Sequence, residues 1–542
     1  MNSLWIMISS IIIFIIAYAT YGSWLAKKWG VDTSRKTPAH EMGDGIDYVP
    51  TSPAVLLGHH FSSIAGAGPI NGPIQAAVFG WVPVLLWIII GSIFFGGVHD
   101  YGSLFVSIRH KGKSIGEVIN ETMGKRGKQL FSIFAWLTLL LVVAAFANIV
   151  ASTFATTPEA ATSSLLFIVL AIGFGYAVYR KGVSLKIGTI VGVILLFICV
   201  WLGTVFPLQL SVNTWIVILA IYIFVASTAP VWILLQPRDY LNSFLLYAMM
   251  AGALLGIFIY RPTIQLDAVT AFKVVDGKSV QYLFPMLFVT VACGAISGFH
   301  SLVGSGTTSK QIDNEKDAKA IGYGGMLIEG ALAVIALITA AYITKGELSE
   351  LLKGGPVNVF SNGVGTFMSK FGIPFETGKT FVALAVSAFA LTSLDTATRL
   401  GRFIFQEYFE DPEKETQSPL TNMYVSTAIT VVIGSVLAAG GFAKIWPIFG
   451  SANQLLAALA LMAVALWLKK QNRSFNMITI PMIFMLIVTL TALVFLIQTN
   501  FANANYILVV FPILLFILAI VLAVQGYQIL FKDDHKKVGH TE

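Results

Sequence analysis

The chain has 542 residues, of which 56% are hydrophobic and 11% charged, with a net charge of +7. Ordinary soluble domains carry about 25% charged residues, and one water-soluble globule of this size could not hide so much apolar surface. The composition therefore excludes a soluble enzyme or a nucleic-acid binder. It points to an integral membrane protein whose basic residues are orientation signals.

Apolar runs long enough to cross about 30 Å of hydrocarbon fall at 4–26, 51–78, 79–108, 128–153, 161–181, 185–205, 213–235 and 240–260. They continue at 281–309, 318–343, 378–405, 420–440, 446–468, 474–497 and 505–530. The fold class expected is all-α, with about fifteen transmembrane helices. The first run ends in Lys27 and Lys28 and lacks a basic segment before it, so it reads as a retained helix and not a cleaved signal. Residues 51–108 hold either two crossings or a crossing plus a re-entrant turn.

With the N-terminus outside and the C-terminus in the cytoplasm, 26 of the 34 Lys and Arg residues fall on the cytoplasmic side. Arg238 is counted there as a flanking charge, and Lys353 among the few on the outside. The outer connection 344–377 includes Val357–Phe371, whose apolar spacing suits a short surface helix with a lid-like or purely structural role. Cys199 and Cys293 lie far apart inside apolar runs and form neither a disulfide framework nor a metal pair.

A self-match is the most informative feature. Phe61-Ser62-Ser63-Ile64-Ala65-Gly66-Ala67-Gly68 recurs as Phe299-His300-Ser301-Leu302-Val303-Gly304-Ser305-Gly306. Seven crossings separate the two copies, so they run in opposite directions. Paired Gly/Pro-interrupted segments in inverted halves point to a transporter binding site. Unpaired backbone groups cost several kcal/mol in hydrocarbon, so such a break must be buried or line a wet cavity. There its carbonyls coordinate a cation, or the N–H groups of the next half-helix hold an anion. Small residues also allow plain tight helix packing, which is the competing explanation. The division expected is 1–50 as an extra helix and loop, 51–280 and 281–530 as inverted halves, and 531–542 as a cytoplasmic tail.

Ionisable residues at membrane depth each ask for a partner or a role. His59 and His60 adjoin the first break, His300 lies in the second, and His99 and Asp100 form a candidate hydrogen-bonded pair. Glu329 reads as structural. Asp395 is four residues from Arg399 and is either paired with it or a proton carrier. Thr392, Ser393, Thr396 and Thr398 form a hydroxyl cluster suited to a cation. Asn453 and Gln454 add a polar pair in another helix. No HExxH-type spacing occurs, and no metal or other cofactor is expected.

Gly58-His59-His60-Phe61-Ser62-Ser63-Ile64-Ala65-Gly66-Ala67-Gly68-Pro69-Ile70, Gln236-Pro237-Arg238-Asp239-Tyr240-Leu241-Asn242, Leu391-Thr392-Ser393-Leu394-Asp395-Thr396-Ala397-Thr398-Arg399 and Phe449-Gly450-Ser451-Ala452-Asn453-Gln454-Leu455-Leu456 resemble the carbon starvation protein A (CstA) family. The resemblance implies a bacterial inner-membrane transporter with a LeuT-like inverted-repeat core and two discontinuous helices. It also implies uptake of peptides or pyruvate under nutrient limitation, with proton coupling for the pyruvate carriers.

The expectation is a secondary transporter importing a peptide or a small carboxylate such as pyruvate, coupled to H⁺ or Na⁺. Substrate would contact His60, Ser62, Ser63, Ala65, Gly66, Gly68, Ser297, His300, Ser301 and Gly304. Coupling would use His59, Thr392, Ser393, Asp395 and Thr396. The partners expected are that small solute and the lipid bilayer, with no nucleic acid. A metal-containing membrane enzyme, a channel and a nutrient sensor are the alternatives. A channel needs a continuous polar pore, which single polar positions in apolar helices do not supply.

Overall fold

The computed structural model describes residues 2–44, 48–230, 234–276, 279–410 and 418–531. The expected tail after Phe531 lies outside the described residues. Helix formation follows from the solvent: in a bilayer each backbone N–H and C=O must be paired within its own segment.

Helix α1 (Ser3–Trp29) contains a π-helical turn at Tyr18–Gly22 and stops at Gly30, a left-handed residue with φ 66°. Two short helices follow, α2 (Pro53–Ala65) and α3 (Gly68–Ala76), then α4 (Trp81–Arg109). The run at 51–108 is thus a broken helix followed by a continuous one. Helix α5 (Ile115–Thr156) turns sharply at Gly124 (φ 78°), which separates an interfacial first part from the span. Helices α6 (Pro158–Val178), α7 (Leu185–Val205), α8 (Val212–Thr228) and α9 (Leu235–Tyr260) complete the first part of the chain.

The connection after α9 holds an antiparallel hairpin, β1 (Lys273–Asp276) with β2 (Ser279–Tyr282), pairing Lys273 with Tyr282. Helices α10 (Leu283–Thr290) and α11 (Gly298–Gly306) form a second broken helix. There follow α12 (Lys319–Ala341), α13 (Lys345–Leu352), α14 (Pro356–Ser369) and α15 (Phe375–Phe409). The chain continues through α16 (Met423–Ala438), α17 (Phe442–Lys470), α18 (Asn476–Ala502) and α19 (Tyr506–Phe531).

Among the described residues, eleven helices are long and apolar enough to cross a membrane. The other four expected runs appear as the shorter helices α8 and α16 and as the two broken helices. Burial separates centre from rim. The most apolar stretch of α17 is wholly buried, that of α15 94% buried and that of α7 only 22%. Ile187, Ile190, Ile194, Phe197 and Trp201 of α7 are exposed, an apolar face suited to lipid.

Two expectations change. The segment Val357–Phe371 does not lie on the surface: in α14, Val359, Phe360, Val364 and Phe367 are fully buried. Gly363 abuts Thr339 of α12 and Gly256 of α9 abuts Phe367, so small residues let α14 sink into the bundle. Arg238 is likewise no flanking charge, for its side chain is 1% exposed.

Candidate functional site

The two broken helices meet. The first break is at Gly66 and Ala67, where Gly66 takes φ 31° and ψ −156°. A Cβ on Gly66 would lie 2.7 Å from Ser393 Oγ and 3.1 Å from the Phe146 ring, so the close approach of α15 and α5 requires glycine. The second break is the non-helical stretch between Thr290 and Gly298. A Cβ on Gly68 would sit 2.5 Å from Cys293, and one on Gly294 would lie 3.7 Å from Pro69. Glycine at both positions brings the two interruptions into van der Waals contact.

The self-match does not align the breaks, which corrects the expected register. In the first copy, Phe61–Ala65 ends α2 and the break follows; in the second, Phe299–Gly306 lies inside α11 and the break precedes it. Helical periodicity explains the difference, since glycine permits a break without imposing one and the surrounding helices decide where it falls.

The second break is sealed by its neighbours. Asn453 Oδ1 accepts from the Phe299 N–H at 2.9 Å, and Asn453 Nδ2 donates to Ser297 Oγ at 3.0 Å. Gln454 Nε2 donates to the Phe288 carbonyl at 2.7 Å and Trp446 Nε1 to that of Thr290 at 3.3 Å. Ser92 Oγ donates to the Gly294 carbonyl at 3.2 Å. Side chains of other helices therefore take the Phe288, Thr290 and Gly294 carbonyls and the Phe299 amide around the second break.

Beside the breaks lies a buried ionisable cluster. Asp100 Oδ1 meets His99 Nδ1 at 2.7 Å, and Asp100 Oδ2 meets His300 Nδ1 at 2.8 Å. His300 Nε2 comes within 3.4 Å of Glu329 Oε2, outside hydrogen-bonding geometry. All four side chains are at most 1% exposed. His60 is also buried, with Nδ1 2.8 Å from Thr308 Oγ1. Its ring packs where a Cβ on Gly325 would lie, one turn before Glu329. The breaks thus join α2, α4, α11 and α12 around one set of titratable groups.

Asp395 belongs elsewhere. It is ion-paired with Arg238 and accepts from the Tyr222 hydroxyl at 2.8 Å, while Arg238 also reaches Asp239 at 3.2 Å. The expected Asp395–Arg399 pairing is replaced, because Arg399 donates to the carbonyls of Ala226 and Ala229 instead. Thr392 Oγ1 lies 3.4 Å from Arg238 Nη2 and accepts from Asn242 at 2.8 Å. A guanidinium thus occupies the ground reserved for a cation among the α15 hydroxyls.

Of the remaining expected residues, Ser62 and Ser63 donate to the His59 carbonyl, and Ser301 to that of Gly298. Ser393 donates to the Ser63 carbonyl at 3.4 Å, tying α15 to α2. Ala65 and Gly304 are buried backbone positions, whereas His59 and Thr396 are half-buried. Sequence reasoning missed Asn71. It is fully buried, with neither side-chain polar atom hydrogen-bonded among the described residues. Its setting between Ile70 and Gly72-Pro73, a polar residue beside the break, is the signal that would have found it. Among the described residues no group of three or more His, Cys, Asp or Glu is placed to hold a metal ion.

The description "Carbon starvation protein CstA" matches residues 2–352 and 344–492. The chain belongs to the CstA family. It is 35% identical to the peptide transporter CstA of Escherichia coli, across 91% of this chain and 80% of that one. It is 32% identical to the Bacillus subtilis peptide transporter CstA, across 98% of each. It is also 32% identical to the Escherichia coli pyruvate/proton symporter BtsT, across 91% and 81%. Among solved structures, a manganese transporter of Eremococcus coleocola shares its fold at a TM-score of 0.53 and 13% identity, covering 90% of this chain and 99% of that one. These relatives are transporters, and the protein is a multi-pass membrane transporter of that family, with a small-molecule cargo.

Proposed function

We propose that the protein is a proton-coupled secondary transporter that imports a peptide or a small carboxylate such as pyruvate by alternating access around its two broken helices. The contact between the breaks carries this reading. Gly68 against Cys293 and Gly294 against Pro69 put two interrupted helices in the bundle interior, where transporters build their sites. Side chains of α17 hold the second break and Ser393 of α15 holds the first, so the two breaks are anchored to different helices. The same proposal includes fifteen crossings, a LeuT-like inverted-repeat core, and a bacterial inner-membrane location with the N-terminus outside. The peptide transporter CstA and the pyruvate/proton symporter BtsT suggest the two cargo classes.

The coupling proton is assigned to the His99–Asp100–His300–Glu329 cluster instead of Asp395. Asp395 is committed to Arg238, whereas Glu329 has no hydrogen bond to either carboxylate oxygen among the described residues. The cluster spans α4, α11 and α12, so a proton arriving there changes the attraction between elements that must move apart. His60 and Cys293 are the further titratable groups within electrostatic reach.

The test is uptake of radiolabelled pyruvate and dialanine into proteoliposomes. Accumulation is expected under an inward proton gradient, is abolished by a protonophore and is indifferent to sodium. Uptake that ignores both gradients overturns the coupling. Glu329→Gln is expected to keep exchange of internal for external cargo while losing gradient-driven accumulation.

A further inference from the structure

A cavity of about 410 Å³ opens between α3, the end of α5 and the start of α14. Its walls include Asn71, Asn148, Ser152, Thr153, Lys353 and Val357. That volume suits a small organic solute and falls short of a large one. It lies one turn beyond the first break, towards the end of the bundle where α5 finishes and α13 joins α14.

Three features of the cavity favour a carboxylate. First, α14 begins on its wall: Gly355 is the N-cap and Pro356 the first helical residue, and no side chain caps the turn. Pro356 has no N–H and the Asn358 N–H donates to the Gly355 carbonyl at 3.1 Å, so this terminus offers the Val357 N–H and the positive end of the dipole. Second, Lys353 is the one ionised side chain on the described lining, and no carboxylate lines it. Its side chain is 71% exposed and its ammonium lies 2.5 Å from Glu350, which is outside the lining, so a bound carboxylate competes with Glu350 for it. Third, the fully buried Asn71 amide has neither its oxygen nor its nitrogen paired. Leaving an amide unsatisfied in a protein interior costs about 1–3 kcal/mol. The other polar walls have partners: Asn148 donates to the Ala438 carbonyl at 2.9 Å and Thr153 to that of Ile149 at 2.8 Å. Among the described lining residues, Asn71 is the one with both side-chain polar atoms unpaired.

The geometry points to this cavity as a binding site for a small carboxylate-bearing solute, its carboxylate at the α14 N-terminus and Lys353 and its other polar end on the Asn71 amide. This deepens the proposed transport function and rests on it for the identity of the cargo. It also moves the cargo away from Ser297 and Ser301, whose hydroxyls are already engaged. A keto acid and a dipeptide share the carboxylate and differ in the group that meets Asn71.

The test uses the full-length protein in proteoliposomes with two probes, pyruvate and dialanine. In Ser152→Cys, reaction of the new thiol with an anionic, membrane-impermeant thiosulfonate is expected to slow at least fivefold in whichever probe is cargo. Equimolar chloride or choline should leave the rate unchanged. Asn71→Ala should raise the KM for that probe at least tenfold with maximal rate little changed. Asn71→Asp should raise it further for pyruvate, whose keto oxygen meets residue 71, and less than Asn71→Ala does for dialanine, whose ammonium does. Saturable uptake in the parent protein, with labelling of Ser152→Cys indifferent to both probes, overturns this site and leaves the transport reading standing. Absence of uptake of either probe together with protection of Ser152→Cys overturns the transport reading and keeps the site. If Asn71→Ala does not fold, the Ser152→Cys rates decide alone.

Discussion

Arg238, a residue with 1% of its side chain exposed, holds two carboxylates at once, Asp395 and Asp239. Removing one member of a buried ion pair costs about 3–5 kcal/mol, because the other charge is left unpaired in a low dielectric. Arg238→Met strands two acids and is expected to cost that much. Asp395→Asn leaves Arg238 with Asp239 and should cost clearly less. Thermal unfolding of the detergent-purified variants orders the two, and equal losses would show that Asp239 does not share the charge. Asn453 poses a second question at this scale, since it caps α11 from a different helix. Asn453→Ala should lower stability by about 1 kcal/mol, the usual worth of an N-cap, and Asn453→Asp should lower it further, because it loses the donor to Ser297 and buries an unpaired carboxylate. Asn453 stood out in the sequence as a polar group at membrane depth, whereas Arg238 read as a flanking charge. The partner of neither was legible there, because Arg238 meets Asp395 and Asn453 meets Phe299 across more than 150 positions of chain.

At the scale of elements, the apolar runs gave nearly every helix, since twenty apolar residues in lipid have one way to satisfy their backbone. The break positions followed different rules. Gly66 and Gly68 are needed because Ser393, Phe146 and Cys293 approach their α-carbons. Gly68→Ala is expected to abolish uptake by pushing the breaks apart, and Cys293→Gly in the same chain should restore part of it. Additive losses in the double variant would show that the two positions do not touch. Helix α13 supplies a pH-dependent element outside the membrane spans. The Glu347 carboxylate accepts from the backbone N–H and hydroxyl of Thr344, which hold its carboxyl below the usual glutamate range. Its contribution is therefore present above the ordinary glutamate value and fades as pH falls through the lowered one. Protection from hydrogen exchange across Lys345–Leu352, relative to the unstructured rate at each pH, should fall over that acid interval in the parent, with little change in Glu347→Gln, whose cap is already weakened.

At the scale of the whole molecule, the asymmetry of basic residues predicts orientation. In intact cells, an impermeant maleimide should label Lys345→Cys and spare Lys125→Cys; the reverse pattern would invert the topology. Composition, run lengths and the motifs at Gly58–Ile70 and Leu391–Arg399 determined the membrane class, the helical architecture and the family without help from coordinates. They did so because hydrophobic length and local glycine patterns are properties of neighbours along the chain. Which carboxylate pairs with Arg238, which break is sealed, and that Asn71 faces a cavity were decided only by tertiary structure. Each of those depends on a contact between distant helices, and in a bilayer such contacts are chosen by packing and by the cost of an unpaired polar group, neither of which is written in any one segment.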